Sequence, residues 1–264
     1  MKQNPNLISK DKQFALLYGI MLGDGCLSLV NKNKFLSITG SSKEDLSFFE
    51  NVISPILKDF RGKETKIKFR KDCNAIEYNF TDKNLFDLFY THGFPYGKKG
   101  PSIMIPIIFY EKDLIKYIIQ GFFATDGSIV LTRNPNKFYP RLELHAISKD
   151  LVRQVYDYLI SLGFKGHFYK CKRKVRDLRW KVVQDQYRFQ FNGIENLVLF
   201  NELIGFVNPK HEKKFLGFLE YSNEYDKSVN GVAPKNQKLI RDKLNIHLIE
   251  KMAVPGVELG APSL

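Results

Sequence analysis

Apolar residues recur along the chain in two rhythms, a three-to-four spacing that marks helices and a strict alternation that marks half-buried strands. The first half reads as helix, two strands, helix, two strands, helix. Its helices fall near 11–23, 43–60 and 82–92, its strands near 26–31, 34–40, 64–71 and 75–81. The same order returns with helices near 112–125, 149–162 and 194–204 and strands near 128–133, 139–147, 165–176 and 180–192. A helix near 210–224 closes the second half, and a linker rich in Gly, Pro and Lys spans 93–111. These patterns predict an α+β fold of two αββαββα halves, 1–105 and 106–226. An extension, 227–264, holds one amphipathic stretch from Lys235 to Met252 and then a tail that reads as disordered.

The two halves repeat one another in sequence as well as in pattern. Leu17-Tyr18-Gly19-Ile20-Met21-Leu22-Gly23-Asp24-Gly25 returns 102 residues later as Ile119-Gln120-Gly121-Phe122-Phe123-Ala124-Thr125-Asp126-Gly127. Ser42-Lys43-Glu44-Asp45-Leu46 resembles Ser148-Lys149-Asp150-Leu151, each with a serine placed to cap the helix that follows. Asn84-Leu85 and Gly93-Phe94 are matched by Asn196-Leu197 and Gly205-Phe206. Four landmarks in one order indicate duplication, with loop insertions in the second copy.

Charge changes the picture. Lys and Arg number 41 against 28 Asp and Glu, a net +13, which favours an anionic partner, nucleic acid or membrane surface. Residues 165–192 carry nine Lys or Arg against two Asp, and residues 61–71 carry six against Glu64 alone. Both stretches read as strands interleaved with aromatic and β-branched residues, which fits neither a membrane-lying helix nor a disordered basic tail. No stretch approaches the length of a membrane span. In Lys66-Ile67-Lys68-Phe69-Arg70, Arg141-Leu142-Glu143-Leu144-His145 and Arg188-Phe189-Gln190-Phe191-Asn192, one strand face is apolar and the other carries donors and acceptors suited to phosphates and base edges.

The repeated nonapeptides are where chemistry is expected. Small residues at 19 and 23, and at 121, 124 and 125, share a helix face and let two backbones approach closely. Packed about a pseudo-twofold axis, the two helices would set Asp24 and Asp126 side by side at helix C-termini, whose dipoles add negative character. Such a spot calls for a cation. Carboxylates with backbone carbonyls, here those of Gly23 and Thr125, are hard ligands that suit Mg²⁺ or Mn²⁺. Each Asp-Gly taken singly is no more than a turn signal; two in equivalent places are harder to dismiss.

The two segments resemble the LAGLIDADG motif of homing endonucleases, with the Asp before the final Gly matched in both copies and the family's acid at the sixth position replaced by Leu22 and Ala124. The resemblance covers about 16–225. It implies a saddle of two antiparallel sheets with the motif helices at the interface, gripping a long specific site of double-stranded DNA. It implies hydrolysis of both strands across the minor groove to leave short 3′ overhangs, with divalent metal on Asp24 and Asp126. It also implies a basic residue near each metal; the repeat nominates Lys98 and Lys210, with Lys99, Lys213 and Lys214 as substitutes. The strand faces and hairpin tips nominate DNA contacts at Lys32, Lys34, Ser37, Thr39, Lys66, Lys68, Arg70, Arg133, Arg141, Glu143, His145, Lys170, Lys172, Arg179, Lys181, Arg188 and Gln190. With two motifs in one chain, a functional monomer with no obligate protein partner is expected.

Two other readings compete: a non-cleaving RNA-splicing maturase or DNA-binding regulator on the same fold, with host intron RNA as ligand, and a structural nucleic-acid binder. Retention of both aspartates favours cleavage. Cys26, Cys73 and Cys171 are too scattered for a zinc site and read as reduced thiols, and the five histidines lack ligand spacing. The opening MKQNPNLISKDK has no apolar signal core, which points inside a cell, whether archaeal cytoplasm or an organelle such as a mitochondrion or chloroplast.

Overall fold

The computed structural model describes residues 9–70, 73–134, 137–172 and 185–228. Its centre is a pair of helices, α1 (Lys10–Asp24) and α6 (Ile115–Asp126), packed along each other. Every residue of α1 from Gln13 to Leu22 is buried, so this helix is apolar all round rather than striped, as a helix at the centre of a protein must be. Gly19 and Gly121 sit at the crossing. A Cβ on Gly19 would strike the carbonyl of Ile118, and one on Gly121 the carbonyl of Leu16, well inside the 3.0 Å that real Cβ atoms keep. The small-residue stripe is thus the contact surface between the two halves.

From each central helix the chain enters a four-stranded antiparallel sheet. The first comprises β1 (Gly25–Val30), β2 (Asn33–Ser41), β3 (Lys68–Arg70) and β4 (Ala75–Thr81), in the order β1-β2-β4-β3. The second comprises β5 (Gly127–Asn134), β6 (Lys137–Ala146), β7 (Gly166–Lys172) and β8 (Asp185–Asn192), in the order β5-β6-β8-β7. The fold is α+β, two pseudo-symmetric halves with the motif helices between them, as the pattern predicts. The β1–β2 hairpin turns on Asn31 and Lys32, both with positive φ (49° and 65°), the two-residue turn whose twist matches that of its strands.

Strand alternation puts one face of each sheet against helices. In the first half, Leu27, Leu36, Ile38, Ile76 and Tyr78 pack beneath a helical run made of α2 (Leu46–Phe48), a π-helical stretch (Phe49–Ile53) and α3 (Ser54–Arg61), together with α4 (Lys83–Thr91). In the second, Ile129, Leu142, Leu144, Phe189 and Phe191 pack beneath α7 (Lys149–Ser161) and α8 (Ile194–Leu203). Each fully buried Phe of this core contributes about 1.5–3 kcal/mol. Helix α9 (Pro209–Ser228) closes the second half. Among the described residues, no helix is long and apolar enough to cross a membrane.

Three expectations need correction. The segment 93–111 is not a plain linker: it contains α5 (Ile108–Glu111), and Tyr96 bridges in parallel to Leu27. The strand expected at 64–71 shrinks to Lys68–Arg70. Of the two capping serines, Ser148 accepts from Leu151 N–H as expected, but Ser42 caps nothing; α2 starts later, after Asp45, whose side chain is engaged elsewhere. Arg179, Lys181 and the Lys235–Met252 stretch lie outside the described residues, as do the side chains of Arg133 and Lys172.

Candidate active site

Because α1 and α6 cross through glycine, their C-terminal ends meet. A Cβ on Gly23 would collide with Thr125 Oγ1 and stand 2.9 Å from Asp126 Oδ2, so the second aspartate leans across the end of the first motif helix. Asp24 keeps contact with solvent and Asp126 is half-buried, yet protein crowds both carboxyls. Burial first, and then the charge of Asp24, push Asp126 up to about 7, against the opposing charges of Lys99, Lys210 and His145. Burial likewise raises Asp24, with Lys99 and Lys210 opposing and Asp45 adding to the rise. Two neighbouring carboxyls whose charged forms burial disfavours, the charge of Asp24 bearing on Asp126, form a place where an added cation is stabilising.

The cation present in the first half is Lys99, not Lys98. Gly97 adopts φ +82° and donates its N–H to Leu27 O at 2.7 Å, which reverses the chain beside β1. Lys98 is left exposed, while Lys99 turns inward and donates to the carbonyls of Met21 (3.0 Å), Leu22 (2.9 Å) and Gly23. An ammonium on the last carbonyls of a helix satisfies orphan acceptors and meets the negative end of the dipole. Burial lowers the pKa of Lys99, while Asp126 and Asp24 act to raise it. A count along the repeat pairs Lys98 with Lys210; the geometry pairs Lys99 with Lys210, because only a left-handed glycine, invisible to that count, sets which lysine faces in.

In the second half Lys210 lies near enough for its charge to act on both Asp24 and Asp126. The residue after it, His211, is buried against Phe123 (ring centroids 5.4 Å apart) and held neutral, its pKa pushed down to about 3 by burial and by Lys210 and Lys214. Asp45 and Asn208 were not foreseen. Asp45 is only 7% exposed and accepts from Ser41 N–H, Asn208 Nδ2 and Lys210 Nζ; Asn208 also donates to Ala124 O at 2.9 Å. The matched Ser-Lys-acid motif hinted at Asp45, but its counterpart Asp150 is exposed, so the repeat disguised the difference.

The donor set fits a hard divalent ion. Among the described residues no group of three or more His, Cys, Asp or Glu side chains is placed to hold a metal, so Asp24 and Asp126 would supply two carboxylates and leave the remaining positions to water and phosphate oxygens, as Mg²⁺ prefers. Thr125 Oγ1 is spent on Phe122 O, and Gly23 O accepts from Lys99, so the Gly23 carbonyl is shared rather than free.

Sheet register sorts the nominated DNA contacts. Ser37 and Thr39 lie opposite Asn79 and Glu77, and Lys68 and Arg70 pair with Glu77 and Ala75; all are on the open face. In the second sheet Arg141, Glu143 and His145 oppose Asn192, Gln190 and Arg188 on the open face. Glu143 is the hub there: Gln190 donates to it at 3.0 Å, Arg141 Nε lies 3.2 Å away and His145 3.7 Å away. Interaction with His145 and Gln190, helped by Arg141, outweighs burial and holds its carboxyl down at about 2. Lys32 and Lys66 are exposed, at the hairpin tip and just ahead of β3. Lys34 and Lys170 are corrections: both fall on the helix-side register. Lys34 pairs with Asp87 of α4, and Lys170 with Asp185 at 2.7 Å. The runs around them are polar at both parities, Asn31 to Lys34 in one case and Lys165 to Lys172 in the other, so alternation could not assign a face. His167 and Tyr169, beside Gln190 and Arg188, join the open face instead.

Comparison with known proteins agrees with this geometry. Residues 113–205 match the model of the LAGLIDADG-like domain. Over 84% of its length the chain is 26% identical to a probable translation initiation factor IF-2 of Methanocaldococcus jannaschii, of which it spans 17%. The LAGLIDADG meganuclease I-AabMI, solved bound to uncleaved DNA, is 14% identical, with 95% of this chain and 100% of that one covered at a TM-score of 0.50. Full-length DUF199/WhiA from Thermatoga maritima is also 14% identical, covering 94% of this chain and 72% of that one at a TM-score of 0.53. At such identities these likenesses are of fold. Residues 113–205 thus carry a LAGLIDADG-like domain, and the whole chain, with an aspartate at the end of each of two crossed helices, shares the fold of a LAGLIDADG meganuclease.

Proposed function

We propose that this protein is a site-specific DNA endonuclease, dependent on Mg²⁺ or Mn²⁺, that acts as a monomer and cuts both strands of a long duplex site to leave short 3′ overhangs. The observation that carries this is the meeting of Asp24 and Asp126 at the ends of two glycine-packed helices, between two open sheet faces that carry Arg, Lys, Gln and Asn. The meganuclease of like fold was solved on DNA, which supports the choice of ligand.

The open sheet faces bind. Lys68, Arg70 and Arg188 neutralise phosphates, and the Glu143 hub holds Arg141 and His145 in fixed poses toward base edges. Arg141 Nε is buried against Glu143 Oε2 at 3.2 Å, and Arg188 Nε is buried without a hydrogen-bond partner. A guanidinium whose inner edge is sequestered presents its outer donors to the ligand. Asp24 and Asp126 would hold the divalent ions, which when bound would supply charge to activate water and stabilise the leaving 3′ oxygen. Lys99 and Lys210 add positive charge beside the cleaved phosphates. Because one aspartate comes from each half, each strand meets its own carboxylate.

The test is incubation of a randomised-duplex library with protein and Mg²⁺, followed by end mapping. Paired staggered ends at one long site are the expected result. Selective binding without ends would replace the nuclease with the maturase or regulator, and intron RNA would become the ligand to try.

A further inference from the structure

The molecule carries a strut between its halves that the repeat does not predict. Asp45, from the turn after β2, accepts Asn208 Nδ2 at 3.0 Å and Lys210 Nζ at 2.8 Å on one oxygen and Ser41 N–H at 2.9 Å on the other. Asn208, fully buried, donates as well to Ala124 O near the end of the second motif helix, and its own side-chain oxygen accepts Lys210 N–H at 3.1 Å. Lys210 is therefore fixed at both its backbone and its ammonium.

The chemistry of the site gives this fixing a purpose. A mobile ammonium within reach of Asp24 and Asp126 would fall onto those carboxylates, because close opposite charges in a crowded site attract strongly. It would then occupy the oxygens that a divalent ion needs. Lys99 is kept from doing so by three helix carbonyls. Lys210 has no such carbonyls, and the carboxylate that restrains it comes from the other half. Resting on the endonuclease reading above, we propose that Asp45 is a positioning residue: it holds Lys210 beside, but off, the metal-binding aspartates, leaving the ammonium poised for phosphate. The counterpart acid Asp150 is exposed, so this device serves one half only and makes the two half-sites inequivalent.

Mn²⁺ binding to the full chain without DNA, read by electron paramagnetic resonance, tests this independently of cleavage. Asp45→Asn frees Lys210 and is expected to weaken Mn²⁺ binding about tenfold, the scale of one partly screened charge. Adding Lys210→Met should restore it, since the competitor is gone. Asp45→Glu, which keeps the charge, should bind within about twofold of wild type and serves if Asp45→Asn does not fold. Weakening that persists in the double variant would mean that Asp45 acts as plain scaffold and would overturn the proposal, as would an Asp45→Asn variant that binds like wild type. Wild type that binds Mn²⁺ through Asp24 and Asp126 yet cuts no library duplex would defeat the endonuclease reading while leaving the positioning result to stand on the metal. Wild type that binds no Mn²⁺ would overturn both.

Discussion

Gly19→Ala and Gly121→Ala probe the contact on which the site's geometry rests. At either position the new methyl meets backbone, the Ile118 carbonyl and Phe122 N in one case, the Leu16 carbonyl and Ile20 N in the other. Backbone in mid-helix cannot rotate away, so the helices must part by about 1 Å, a gap that forfeits a quarter to a half of the local dispersion energy. Overpacking of this kind costs about 1–3 kcal/mol. Alanine returns about 1 kcal/mol through helix propensity. With backbone as the obstacle the upper end applies, leaving a net loss of about 2 kcal/mol. At about 2–4 °C per kcal/mol for a chain of this size, each variant should melt about 4–8 °C below wild type. The double variant should fall short of the sum, since the first methyl already opens the gap. Gly217→Ala is the control. Gly217 lies exposed in α9 with nothing within 4 Å of an added Cβ, so the same substitution should raise the melting point by a degree or more. Thermal melts followed by far-ultraviolet circular dichroism measure all four. If Gly19→Ala and Gly121→Ala melt at or above wild type, the close helix crossing is wrong, and with it the juxtaposition of Asp24 and Asp126.

Lys99→Met should cut metal-dependent cleavage by roughly 10²-fold through loss of a preorganised charge, whereas exposed Lys98→Met should stay within about twofold; equal effects in single-turnover assays would return the role to Lys98. Glu143 has its pKa held down at about 2 from an ordinary 4.5, so its contribution to stability is complete above 4.5 and is lost as pH falls through 2. It amounts to about 1–3 kcal/mol after screening, and Glu143→Gln should flatten the acid limb of a urea-denaturation series between pH 5 and 2; an unchanged limb speaks against the hub. DNA affinity should fall steeply with salt, and Arg188→Ala should reduce the slope by about one unit, a phosphate's worth; an unchanged slope in fluorescence-anisotropy titrations would place Arg188 off the backbone.

Much of this molecule was legible before any coordinates. The α+β duplication followed from two hydrophobic periods repeated in one order, and the paired Asp24 and Asp126 from a nonapeptide met twice. Register was harder. Lys34 and Lys170 lie in stretches polar at both parities, and only backbone pairing assigns them to the helix side. Lys99 supplanted Lys98 because a single positive φ at Gly97 decides which neighbour faces inward. The Asp45–Asn208–Lys210 strut joins residues about 165 positions apart through hydrogen bonds from one half of a near-repeat to the other, and symmetry in the sequence argued against looking for it.

The most direct measurement is single-turnover cleavage of the duplex recovered from the library, with each strand followed separately in Mg²⁺, for wild type, Asp24→Asn and Asp126→Asn. Wild type should cut both strands. Each variant should still bind the duplex while losing cleavage by roughly 10²-fold or more, as expected when a group that stabilises transition-state charge is removed. Variants that cut at the wild-type rate, or a wild type that binds this duplex and leaves both strands whole, would contradict an active site built on Asp24 and Asp126.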